Sequence, residues 1–190
     1  MIGEAVSNAS TPLAPRRAGR ALARVAVALA LAFAAAAPAN AYGDNFAAGT
    51  SAYLRQAYPY SAHVLGRLAA RGDGRAQTYL GFMYATGRGV PQDYREAARW
   101  MKRAAAQGVP DAQYLLGLMY DKGQGVEQDF VRAHAWLNLA VAAADSGHRA
   151  DWALIRNAVG GKLTAEELAT AQRLALEWRP TASRRRRDLD

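Results

Sequence analysis

"YLGFMYATGRGVPQDY", residues 79–94, is followed 36 positions later by "LLGLMYDKGQGVEQDF", residues 115–130. Each copy sets an apolar and aromatic stretch before Gly-x-Gly-Val, then Gln-Asp-aromatic. Alone, the Gly87-Arg88-Gly89 pair could be a phosphate loop. That reading needs a preceding strand and a G-K-[ST] or G-x-x-G continuation, and neither copy supplies them. The glycines therefore read as a turn between two helices. Gly87 is expected as a left-handed cap and Gly89 as the residue that lets the turn close tightly.

Aligned over their full extent, residues 76–108 and 112–144 agree at 15 of 33 positions. The shared residues include Ala76/Ala112, Gln77/Gln113, Leu80/Leu116, Gly81/Gly117, Met83/Met119, Tyr84/Tyr120, Ala97/Ala133 and Trp100/Trp136. A period of roughly 20–50 residues marks stacked supersecondary units, none of which buries its own apolar face alone. The spacing predicts a first helix over about 75–86, and again over 111–122, with the shared positions along one face. A second helix is expected from about 94 to 107, with Asp93 as N-cap and Glu96 completing a capping box. Ala97, Trp100, Ala104 and Ala105 should face inward, and Gly108 and Pro110 should close the unit. Gly81 and the alanines permit a close approach of the two helices.

These motifs, A-Q…L-G…M-Y…G-x-G-V-x-Q-D…A…W, resemble the Sel-1-like repeat, a relative of the tetratricopeptide repeat. The second copy departs mildly, with His134 in the place of Ala98 and "AAADSGH" in the place of "AAAQGVP". The resemblance implies an all-α fold, a right-handed α-solenoid of antiparallel helix pairs with about eight helices. It extends to a unit at about 42–74, where Tyr58 and Gly72 stand in the places of Tyr94 and Gly108. Beyond units at about 75–110 and 111–148 it implies a capping pair at 149–179, whose last helix opens on a Thr164/Glu167 box and stops at Pro180.

The rest of the chain bounds the function. Its 190 residues contain no cysteine, which excludes disulfides, thiolate metal sites and cysteine nucleophiles. The formal charge of +8 is concentrated at the ends, with +3 in residues 1–39 and +2 in the terminal "RRRRDLD". The body is too weakly basic for a nucleic-acid footprint. At the N-terminus Arg16, Arg17, Arg20 and Arg24 precede an apolar run from Val25 to Ala37, and small-x-small sites follow at Ala39 and Ala41. Residues 1–41 thus read as a cleavable export signal of the general secretory type, placing the mature protein in the periplasm or outside the cell. No second apolar stretch suggests a transmembrane span. Residues 181–190 read as a disordered basic tail.

Catalytic constellations are scarce. His63, His134 and His148 are scattered, and no H-E-x-x-H, G-x-S-x-G or S-x-x-K occurs. No cofactor, metal or catalytic residue is expected. In tetratricopeptide-like solenoids the first helices line a concave groove, and the positions that differ between the copies share one helical face. Thr78, Phe82 and Ala85, with Tyr114, Leu118 and Asp121, are accordingly the candidate contacts for a protein or peptide partner. The expected function is a non-enzymatic scaffold or adaptor of the cell envelope. Two alternatives remain open. Arg184, Arg185, Arg186 and Arg187 could bind a polyanionic envelope surface. An envelope hydrolase of the cysteine-rich β-lactamase-like type is disfavoured, since that type depends on disulfide-linked repeats.

Overall fold

Eight α-helices and no strand make up the described residues, 44–181, of the computed structural model. The expected signal segment and Arg184 to Arg187 lie outside them. The helices are α1 (Asp44–Leu54), α2 (Tyr58–Ala70), α3 (Gly74–Thr86), α4 (Tyr94–Ala106), α5 (Pro110–Lys122), α6 (Phe130–Ala143), α7 (Arg149–Gly160) and α8 (Ala165–Glu177). Among them none is long and apolar enough to cross a membrane.

The repeat is visible in the packing. α1 lies on α2, α3 on α4 and α5 on α6, while α2–α3, α4–α5 and α6–α7 contacts join one pair to the next. Within a pair the approach is close. A Cβ at Gly81 would lie 3.1 Å from the Ala97 carbonyl oxygen, and one at Gly117 3.1 Å from that of Ala133. The core is built from Leu65, Met83, Met101, Leu116 and Leu137, all fully buried, among alanines of α4 and α6.

Three details differ from expectation. Trp100 is half-exposed and carries the Arg103 guanidinium 4.6 Å over its ring, while Met101 takes the buried position. Alanines at 97, 104 and 105 bring α4 too close to α3 to admit an indole. Asp93 does cap α4, accepting from the Arg95 and Glu96 amides at 2.8 and 3.1 Å, but Glu96 turns away to pair with Arg99. Only Thr164 and Glu167 form a reciprocal box among the described helices. Finally, α7 and α8, expected as a capping pair, each pack on α6 more than on one another.

The interhelical turn explains most shared polar residues. Gly87 and Gly123 end α3 and α5 in the left-handed region, and Gln92 and Gln128 donate to the Ala85 and Asp121 carbonyls at 2.8 and 2.7 Å. These carbonyls belong to the last helical turn, which leaves them without an intrahelical donor. The second glycine does more than tighten the turn: Gly89 presses on the Tyr58 peptide and Gly125 on the Tyr94 peptide, at the start of the preceding unit's second helix.

Gln77 and Gln113 form a second tie between units. Their amides donate to the Ala69 and Ala105 carbonyls at 3.0 and 3.3 Å. In the first copy Gln107 donates to Gln77 Oε1 at 2.8 Å. Ala143 stands at the corresponding place in the second, and Gln113 Oε1 is buried without a partner. An unmade buried hydrogen bond costs on the order of 1–3 kcal/mol. Ala143→Gln is therefore expected to raise stability by about 1 kcal/mol, read as a higher urea midpoint at unchanged m-value. A lower midpoint would contradict the account.

Candidate functional site

The first helices of the two repeats, α3 and α5, carry the six candidate contact residues, and the structure divides those residues into two groups. Thr78 is fully buried, its hydroxyl donating to the Gly74 carbonyl at 2.8 Å. Tyr114 is 5% exposed and stacks on Trp152 of α7, with centroids 4.7 Å apart and planes 10° from parallel. Both side chains are turned to packing, Tyr114 against the Trp152 ring and Thr78 with its hydroxyl on a carbonyl of its own helix. Phe82, Ala85, Leu118 and Asp121 remain half-exposed, at equivalent places one repeat apart. Phe82 presents an edge to Tyr53 at 6.3 Å, and Asp121 pairs with Lys162.

Around them lie residues that sequence reasoning did not single out. Phe46, Tyr53 and Tyr79 form edge-to-face contacts between α1 and α3, with centroids 5.9 Å apart. Arg75 lies 4.5 Å over Phe46, and Arg88 donates to the Tyr53 hydroxyl at 2.5 Å. Burial raises the Tyr53 and Tyr114 hydroxyl pKa values and takes that of Tyr79 to about 12, so these rings act as neutral walls with polar tips. Phe46 and Tyr53 sit outside the clearly repeated segment, which is why no difference between copies pointed to them.

Asp111, in the first turn of α5, is the carboxylate of note on this face. Burial raises its pKa to about 6, and Asp145 adds to the rise. His148, its own backbone N–H and Arg75 oppose it. Arg75 and Asp111 share one place in the repeat, immediately before the first position compared above, where the two copies carry opposite charges. The Asp145–His148 contact, 2.9 Å from carboxylate to Nδ1, belongs to a turn: the same oxygen accepts the Gly147 and His148 amides at 2.9 and 3.0 Å. Those bonds hold the Asp145 carboxyl below its ordinary range. His63 is exposed on α2, and His134 is buried on α6. Among the described residues no three His, Asp or Glu side chains gather as a metal site.

The raised Asp111 pKa has a definite sign. The folded chain holds this proton more tightly than the unfolded chain. The associated stability is complete below pH about 4 and is lost as pH rises through about 6. Asp111→Asn is expected to stabilise the protein by on the order of 1–2 kcal/mol at pH 7.5 and negligibly at pH 4. His134 acts in the opposite sense, its pKa lowered by burial and then by Arg156, so its share of stability falls as pH drops. The difference between variant and unaltered chain isolates Asp111. Equal effects in urea titrations at both pH values would refute it.

A sequence profile of the Sel1 repeat matches residues 74–109 and 110–145. Among solved structures, a protective antigen present in uropathogenic Escherichia coli strains, displaying an SLR fold, superposes with a TM-score of 0.64 at 28% identity. The match covers 96% of this chain and 38% of that protein, so the chain spans well under half of its length. A Sel1 repeat protein from Oxalobacter formigenes shares 38% identity over 45% of this chain and 25% of its own, with a TM-score of 0.44. No curated protein matches the chain.

Proposed function

We propose that this chain, whose residues 74–145 are two Sel1 repeats in an SLR-type helical array, is a non-enzymatic scaffold of the cell envelope that binds a protein or peptide across its first helices. Sel1 repeats generally mediate protein–protein interaction, and the SLR fold is typically a scaffold without catalytic activity. One observation carries the assignment to this face: Phe82, Ala85, Leu118 and Asp121 stay half-exposed in register, one repeat apart, beside aromatic walls. A graded apolar surface with a few charges suits an extended or helical peptide better than a small molecule.

A photoreactive residue at Leu118, with a control at the exposed Arg103 on α4, tests the face in cells. One dominant protein captured from position 118 and not from 103 is the expected result. Equal capture from both positions, or none from 118, would overturn the assignment. Export is the second half of the proposal, supported by the Arg-bearing segment and apolar run that precede Ala39 and Ala41. The envelope-associated protein should then begin at Asn40 or Tyr42 by intact mass. A chain retaining Met1 would refute cleavage.

A further inference from the structure

The second helices carry a small cradle that is already filled by the chain itself. α8 stops at Glu177, where Pro180 opposes continuation, and residues 178–181 run on outside the helix to reach back to α4. The Trp178 indole meets Trp136 of α6 edge to face, at 6.4 Å between centroids. It also lies over Gly108, where a Cβ would stand 3.4 Å from the ring and 3.8 Å from Pro180 Cβ. The Thr181 N–H and hydroxyl both donate to the Ala106 carbonyl, at 2.7 and 3.1 Å. Ala106 is the last residue of α4, so its carbonyl is one that the helix cannot pair internally.

The cradle is not a general property of the repeat. Ala144 replaces Gly108 one period later, and its backbone is extended where Gly108 is left-handed. The occupant is held lightly. Arg179, Pro180 and Thr181 are exposed and Trp178 is half-buried. The Arg179 guanidinium turns back to the Leu176 and Trp178 carbonyls and takes no part in the cradle. What the cradle reads is one indole, a proline two residues on, and a hydroxyl residue after it, in an extended backbone.

We propose that the Ala106 carbonyl, Gly108 and the Trp136 ring form a docking site for an extended partner segment of the type Trp-x-Pro-Thr, and that residues 178–181 are its resident occupant. A tethered occupant competes at an effective concentration of about millimolar, so a partner gains access as the strap releases. This site lies on the second helices and does not depend on the role of the first-helix face.

The test uses the full chain carrying Trp178→Ala and Thr181→Val, with a synthetic peptide of residues 177–183 as probe. The peptide is expected to bind this variant saturably and at least tenfold more tightly than the unaltered chain. Replacing tryptophan in the peptide by alanine should abolish binding. No saturable binding to a variant with unchanged circular dichroism, or equal binding to both chains, would overturn the proposal. Should the variant unfold, the unaltered chain decides. With 5-fluorotryptophan incorporated, excess peptide should displace the strap and shift the fluorine resonance of Trp178, and an unmoved resonance would overturn it.

Discussion

Gly125→Ala is expected to destabilise the fold by on the order of 3–5 kcal/mol, against about 1 kcal/mol for Gly123→Ala, although the two glycines have nearly the same φ (70° and 66°). The shared left-handed geometry accounts for the smaller figure in both. The difference lies in what a methyl group meets. At Gly123 the nearest atoms are Gln128 Cβ at 3.3 Å and its nitrogen at 3.5 Å, a tight contact that a shift of a few tenths of an ångström within the turn relieves. At Gly125 a Cβ would fall 1.8 Å from the Tyr94 carbonyl oxygen, 2.3 Å from its carbon and 2.8 Å from the Arg95 nitrogen. Those atoms are the backbone at the start of α4, which can retreat only if one unit separates from the next. Gly89, with the Tyr58 oxygen 2.3 Å from its would-be Cβ, repeats the arrangement one unit earlier. Urea midpoints of the two alanine variants, measured together, decide the matter. Equal shifts would mean that the second glycine serves only the turn.

That contact shows where legibility in the sequence ended. The 36-residue period located α3 to α6 to within about one residue and the Gly87 cap correctly, because local spacing and end chemistry determine these features. Why Gly89 and Gly125 must lack a side chain was hidden, since their neighbours Tyr58 and Tyr94 lie about 31 positions earlier. The site was half legible. Variation between copies pointed to one face, yet it could not distinguish Phe82, left at the surface, from Tyr114, covered by a Trp152 that lies beyond the repeat match. Asp111 gave no local signal either, because its state depends on burial and on His148, Asp145 and Arg75 from other elements. The turn of α8 onto α6 was unreadable for the same reason: Trp178 finds Trp136, 42 positions away.

Tyr114→Ala is expected to cost about 3–5 kcal/mol, whereas Phe82→Ala should cost on the order of 1–2 kcal/mol while reducing partner capture. A buried aromatic loses its transfer term and leaves a cavity, and Tyr114 also loses a stacked ring, worth about 0.5–1.5 kcal/mol beyond area burial. Phe82 keeps part of its surface in solvent and makes an edge contact with Tyr53, so neighbouring side chains can settle into the vacancy. Substitution at Tyr114 would thus abolish partner recovery by loosening α5 from α7, and scored by recovery alone it would pass for a contact residue. Pairing Tyr114→Ala with Trp152→Ala in a double-mutant cycle separates the two roles. A coupling near 1 kcal/mol in the absence of any partner is expected for a ring stack within the chain. No coupling in the isolated protein, with both variants still defective in capture, would instead make Tyr114 a contact residue and would require the face to open before binding.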